Sequence, residues 1–144
     1  MMVLPQELYE AFKKTIYLVN TDEPIAIRID HSSQPLQQLL VHNLAKSAAI
    51  ITCDNPRSQL QPAVVNSQAR NELRSRLHKG GFTIFETIHQ DPHSKWPDEY
   101  GFLVLDLPQQ TLDQWLVEYG QLAAVTINSA GYASLLLSQV DSTR

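Results

Sequence analysis

Asp54, Asn55, Arg57 and Ser58 crowd together in the stretch "ITCDNPRSQLQPAVVNSQARNEL" (51–73), between an apolar run and the start of a helix. Two or three turn residues would join those elements, so a carboxylate, an amide, a guanidinium and a hydroxyl in one longer loop invite a chemical reading. Asn55-Pro56 with Ser58 can be a rigid strand-to-helix corner, because Pro fixes φ and Asn and Ser bond to nearby backbone. Alternatively, Asn55, Ser58 and the free amides of the following helix start present donors and acceptors to a small polar or anionic ligand. Asn66, four residues before Arg70, either braces the 53–58 loop or joins the same site. Glu99 follows Trp96 by three residues. An apolar neighbour raises a carboxylate's pKa towards values useful for acid–base work, whereas a salt bridge to Arg28 or Arg57 would hold it ionised. Gln121, just after Gly120, is either satisfied by loop backbone or turned towards a ligand.

Other combinations carry less. Cys53 as a nucleophile would need His89 or His93 as its base, and a small side chain buried at a strand end is the commoner situation. His89, Asp91 and His93 place two imidazoles and a carboxylate within five residues, but their spacing matches no strong zinc signature. Asp54 with Glu99 could hold magnesium, yet no accompanying nuclease pattern supports it. Arg70, Arg74, Arg76 and Lys79 lie on one helix after Arg57; they form no single stripe and no aromatic residues interleave for base stacking, so a solvated face is expected. A Walker loop, a dinucleotide-binding glycine fingerprint, a nucleophile elbow, a zincin helix and Cys pairs are all missing.

The whole composition agrees with a small folded domain. The chain has 144 residues, 43% hydrophobic and 18% charged, enough for one core and far from a disordered composition. Eleven basic against fifteen acidic residues give a net charge of −4, the wrong sign for broad attraction to phosphate, which disfavours nucleic acid. The single Cys53 excludes an internal disulfide and a multi-cysteine zinc site. No leader pattern opens the sequence and no apolar run approaches the roughly 18 residues that span a bilayer, so a cytoplasmic protein without a membrane role is expected.

The elements that must position these residues follow from periodicity. Leu8, Ala11 and Phe12 share a helical face after Pro5, predicting a helix over 5–14. Tyr17 to Val19 and "IAIRI" (25–29) read as strands, the latter with Ile25, Ile27 and Ile29 on one side. Ser32 or Ser33 caps a helix carrying Leu36, Leu39, Leu40 and Leu44 up to Lys46. "AAIIT" (48–52) is a central strand, and Val65, Ala69, Leu73 and Leu77 line a helix from Pro62 to Gly80. "FTIFETI" (82–88) and "FLVLDL" (102–107) are strands, Leu112, Trp115, Leu116 and Tyr119 mark a helix after Pro108, and "LAAVTI" with "ASLLL" makes a hairpin. The order α-β-β-α-β-α-β-β-α-β-β predicts a single α/β (α+β) domain over 1–144, a mixed sheet with helices packed on it. Strands 25–29, 48–52 and 82–88 are expected to be joined as parallel strands by right-handed crossovers, so that the loops 30–33, 53–61 and 89–101 emerge at one sheet edge, where ligands commonly bind. Asn66 and Gln121 are returned to that edge by their own elements.

With those elements in place, residues 9–137 resemble the bacterial family catalogued as domain of unknown function 3293. The resemblance is carried by Tyr17 in "TIYLV", the "ITCDNP-R-S" turn, Asn66 and Leu73 in "NSQARNEL", Trp96 to Glu99 ahead of "FLVLDL", and "YGQLAAV" (119–125). It implies a set of positions and no activity. The family's turn reads closer to Thr-Ala-Trp-Asn-Pro, so Cys53 and Asp54 depart from it and Gly101 stands in place of a serine, which argues against Cys53 or Asp54 as an obligatory catalytic group. The expectation is therefore a polar pocket formed by Asn55, Ser58, Asn66, Trp96, Glu99 and Gln121 that takes a small polar ligand, with no cofactor or metal and no catalytic residue assigned. The alternative is a non-catalytic protein-interaction or regulatory module in which the cluster braces loops and the Trp96 region meets a protein partner. Concavity and unpaired polar groups would favour the first; full internal pairing of Asn55, Asn66, Glu99 and Gln121 would favour the second.

Overall fold

A computed structural model describes residues 5–138; residues 1–4 and 139–144 of the expected 1–144 domain lie outside the described residues. In chain order the elements are α1 (Gln6–Lys14), β1 (Ile16–Val19), β2 (Ile25–Ile27), α2 (Gln34–His42), β3 (Ala48–Thr52), α3 (Ala63–Lys79), β4 (Ile84–Gln90), β5 (Glu99–Leu105), α4 (Gln109–Glu118), β6 (Ala123–Ile127) and β7 (Ala133–Leu137). The class and the order are those that periodicity indicates. Helix starts follow the local chemistry: the Ser33 hydroxyl accepts from the Leu36 N–H at 3.2 Å, and Pro62 and Pro108 stand immediately before α3 and α4. Two apolar lines are shorter than expected. α2 ends at His42, and Leu44 takes a positive φ of 56° and is 90% exposed. Val65 likewise lies off the buried line of Leu73 and Leu77.

The strands form one sheet in the order β2-β1-β4-β5-β3-β6-β7, and every neighbouring pair is antiparallel. Strands β2, β3 and β4 do run in one direction, but they are not neighbours: β5 separates β3 from β4, and β1, β4 and β5 separate β2 from β3. The close-in-sequence partners β1–β2, β4–β5 and β6–β7 pair with each other, and the helical crossovers are left to span intervening strands. The ends of β3 and β4 and the starts of β5 and β6 therefore still meet at one edge.

The 30–33 loop does not join them. Asp30 N–H donates to Ala133 O at 2.7 Å, Ala133 N–H to His31 O at 3.1 Å and Ser33 N–H to Gly131 O at 3.0 Å. These bonds draw the chain after β2 to the β6–β7 turn, at the opposite strand ends from Gln121. The sheet is thus curled enough for its two outer strands to approach each other.

Each face has its own core. One buries Tyr17, Val19, Ile27, Ile50, Leu103 and Val125 with Leu36 and Leu40 of α2 and Phe12 of α1 packed on them. The other buries Ile51, Phe102 and Val104 beneath Leu73 and Leu77 of α3 and Leu112, Trp115 and Leu116 of α4. Gly101 in β5 lets the strands pack closely at the edge where β3 and β4 end, because a Cβ there would collide with the carbonyl oxygen of Ile51 and stand 3.1 Å from His89 Cε1. Gly101→Ala or Gly101→Ser is accordingly expected to destabilise the fold by about 1–3 kcal/mol, read as a lower urea midpoint with unchanged slope.

Candidate functional site

β3 ends in side chains that bond outward. Thr52 Oγ1 donates to Tyr100 O at 2.7 Å and accepts from Asp54 N–H at 3.0 Å. The Asp54 carboxylate, 2% exposed, accepts from Arg70 Nη2 on both oxygens at 3.1 and 3.0 Å and from Tyr100 N–H at 2.9 Å, while its carbonyl takes Gln121 Nε2 at 3.0 Å. One residue thus ties β3 to α3, to β5 and to the junction before β6.

The chain then turns through a single 3₁₀ turn, Pro56–Ser58, with Asn55, Arg57 and Ser58 at positive φ of 46°, 58° and 56°. Those conformations are disfavoured for residues with a Cβ, and bonds from outside the loop hold them. Arg57 N–H donates to Gly120 O at 2.7 Å. Asn55 and Asn66 exchange two bonds, Asn55 N–H to Asn66 Oδ1 at 2.9 Å and Asn66 Nδ2 to Asn55 Oδ1 at 3.0 Å, and Gln61 adds its N–H to Asn55 Oδ1 and its amide nitrogen to Asn66 Oδ1. Asn55 Nδ2 reaches across to Glu99 Oε2 at 2.8 Å, where Trp96 Nε1 also donates at 3.1 Å. Asn55, Asn66, Trp96, Glu99 and Gln121 are therefore brought into one hydrogen-bonded neighbourhood, with Ser58 beside them on the same wall.

That neighbourhood closes one end of a cavity of about 630 Å³ whose other walls are α1 and the sheet. Ile50, Val125 and Leu135 give it an apolar floor; Tyr17, His89 and Thr52 add polar groups, and Ser58, Trp96, Glu99 and Gln121 the polar end. His89 pairs directly with Tyr17 on one side and Glu99 on the other, so all three occupy one face of the sheet. The Tyr17 and His89 rings meet edge to face at 4.9 Å.

Burial controls the titration of these groups. It pushes the Glu99 carboxyl up, against the two N–H donors on Oε2, and raises the Tyr17 phenol. It lowers His89 to about 3, so the imidazole is neutral near pH 7. Glu99 takes part in no ion pair among the described residues, so the expected bridge to Arg28 or Arg57 is not made.

The remaining sequence candidates separate from this cluster. Cys53 is buried on the α3 and α4 face, away from His89, with its thiol pushed up to about 12 by burial, which leaves it protonated and unreactive. His89 is a strand residue, because β4 runs on to Gln90, and Asp91 turns its carboxylate back onto the N–H groups of His93 and Lys95. Among the described residues no group of three or more His, Cys, Asp or Glu could share a metal ion. Arg70, Arg74 and Arg76 pair with Asp54, Glu86 and Glu118 respectively. Tyr17, His89 and α1 as cavity walls, and Asp54 and Arg70 as its fastening, go beyond the pocket residues that the sequence singles out. The alternation of Thr87 and His89 was the available signal that His89 belonged to a strand; nothing local links Asp54 to Arg70.

A curled antiparallel sheet with helices on both faces and a polar-ended cavity at one strand edge defines an α+β protein with a candidate ligand site. The chain belongs to the family described as "Protein of unknown function (DUF3293)", whose model matches residues 51–124. That segment contains Asn55, Ser58, Asn66, Trp96, Glu99 and Gln121, whereas Tyr17 and α1 lie before it. No curated protein and no solved structure matches the chain.

Two outcomes follow from the network. Asn55→Ala strands Gln61 N–H and Asn66 Nδ2 and is expected to lower stability by about 2–4 kcal/mol in urea unfolding. His89 titrates near 6.5 when unfolded but only near 3 when folded, so the unfolded chain takes up the extra proton and His89 removes stability as pH falls from 6.5 towards 3. His89→Gln should flatten the decline by up to about 1.4 kcal/mol per pH unit in denaturation series between pH 7 and 4. Glu99, whose folded carboxyl protonates first, acts in the opposite direction in both proteins, so the difference between them isolates His89.

Proposed function

We propose that the cavity between α1 and the sheet binds a small polar ligand, with Trp96, Glu99, Gln121 and Ser58 at its polar end and Asn55 and Asn66 fixing that end in place. The observation that carries this reading is a partition within the network. The Asn55 and Asn66 amides are bonded to protein atoms, whereas Glu99 Oε1 and Gln121 Oε1 make no hydrogen bond among the described residues and both side chains line the cavity. Acceptors left open to the space at the end of a largely apolar recess are what a ligand's donors would complete. A cavity of about 630 Å³ lies within the range of small-molecule sites.

The alternative, a non-catalytic protein-interaction or regulatory module, draws its support from the completeness of the Asn55–Asn66 bracing. Methyl-detected NMR separates the two. A mixed fragment set at millimolar concentration is expected to shift the Ile50, Val125 and Leu135 methyl resonances while leaving Leu73 and Leu77, on the other face, unmoved. If no fragment moves the cavity methyls selectively, the ligand-binding reading falls and the bracing module takes its place.

A further inference from the structure

Resting on that reading, the polar end of the cavity also carries information about the charge of its occupant. The Glu99 carboxylate has one oxygen filled by two N–H groups, Asn55 Nδ2 at 2.8 Å and Trp96 Nε1 at 3.1 Å. Among the described residues its other oxygen has no hydrogen-bond partner and no cationic side chain pairs with it. On the same cavity wall, Gln121 commits its amide nitrogen to Asp54 O, and its carbonyl oxygen has no hydrogen-bond partner among the described residues. Among the described residues the only sealed, unpartnered side-chain polar atom is Arg70 Nε. Neither free acceptor is therefore shut away from solvent, and the space that their two side chains line is the cavity.

The complementary groups are in use. The side-chain N–H groups at this end, from Asn55, Trp96 and Gln121, point to Glu99 and to Asp54 O. An anionic head would meet the Glu99 carboxylate here, with Lys14 and Lys95 elsewhere in the lining, and a carbonyl head would find the amide and indole donors engaged and only the Ser58 hydroxyl to donate. A cationic head with several N–H donors meets a carboxylate oxygen, an amide oxygen and the Tyr17 and Trp96 rings in the same recess, a combination of charge-assisted bonds and aromatic faces that suits ammonium and guanidinium groups. Ile50, Val125 and Leu135 then offer an apolar floor for a short hydrocarbon chain.

We infer that the cavity takes a small organic cation, a protonated alkylamine or alkylguanidine, with its charged head on Glu99 Oε1 and Gln121 Oε1 and its hydrocarbon part on the floor formed by Ile50, Val125 and Leu135. A half-buried carboxylate without an ion-pair partner among the described residues is completed when the ligand supplies one.

The test is a matched series on the intact native protein: n-butylammonium, n-butylguanidinium, n-butanol and butyrate, each titrated while the cavity methyls are followed by NMR. The cations should bind at least about tenfold more tightly than the alcohol or the carboxylate. In Glu99→Gln, which retains an acceptor for Asn55 and Trp96, the preference for the cations should be lost while the thermal midpoint of the free protein is unchanged. Equal or tighter binding of butanol or butyrate overturns the charge assignment and leaves the ligand-binding reading standing. Failure of all four probes overturns the assignment as well, and if the wider fragment set also fails, the ligand-binding reading falls with it. The native series decides the matter even if the variant does not fold.

Discussion

The Asp54 carboxylate is buried at the end of a central strand, and the chain is arranged around the groups it demands. A carboxylate withdrawn from water must find donors nearby; here they are one arginine of α3 and one backbone N–H of β5, on elements far apart in sequence. Its own carbonyl adds Gln121. Fixing this residue consequently fixes where α3, β5 and the start of β6 stand relative to β3. Asn55 begins its left-handed turn from that anchored point.

Asp54 and Glu99 show how position in the fold divides the work of two carboxylates. Asp54 is enclosed and paired with Arg70, which makes it a fastening between elements. Glu99 lies on the cavity wall, held by two neutral N–H donors on one oxygen, while its other oxygen makes no hydrogen bond among the described residues. His89, lying between Tyr17 and Glu99 and neutral through burial, adds polarity to the recess without adding charge.

The three left-handed residues of the 55–58 turn explain why the loop is longer than a corner needs. Each such conformation costs on the order of 1 kcal/mol or more, and the structure sustains them through bonds to Asn66, Gly120 and Gln61. What the turn secures is direction: Asn55 faces Asn66 with one end of its amide and Glu99 with the other. A relaxed two-residue connection would join β3 to α3 but would not place Asn55 between those partners.

Much was decided by the sequence alone, because it rests on local rules. The apolar alternation of 25–29, the continuous run 48–52, the proline starts of α3 and α4 and the Gly120 stop each act over a few residues, and together they specified the element order and the edge at which Asn55, Asn66, Glu99 and Gln121 gather. Tertiary structure decided the rest. Strand neighbours depended on hairpin partners pairing across short connections and displacing the expected parallel contacts. The 30–33 loop was carried away by sheet curl, which accumulates over all seven strands. Whether Leu44 and Val65 would be buried, whether His89 stood in a loop or a strand, and which acceptors would be left open in the cavity all depended on residues dozens of positions away. Hydrogen bonds and burial act through space, and no local pattern of residue types records which distant atom will arrive to satisfy them.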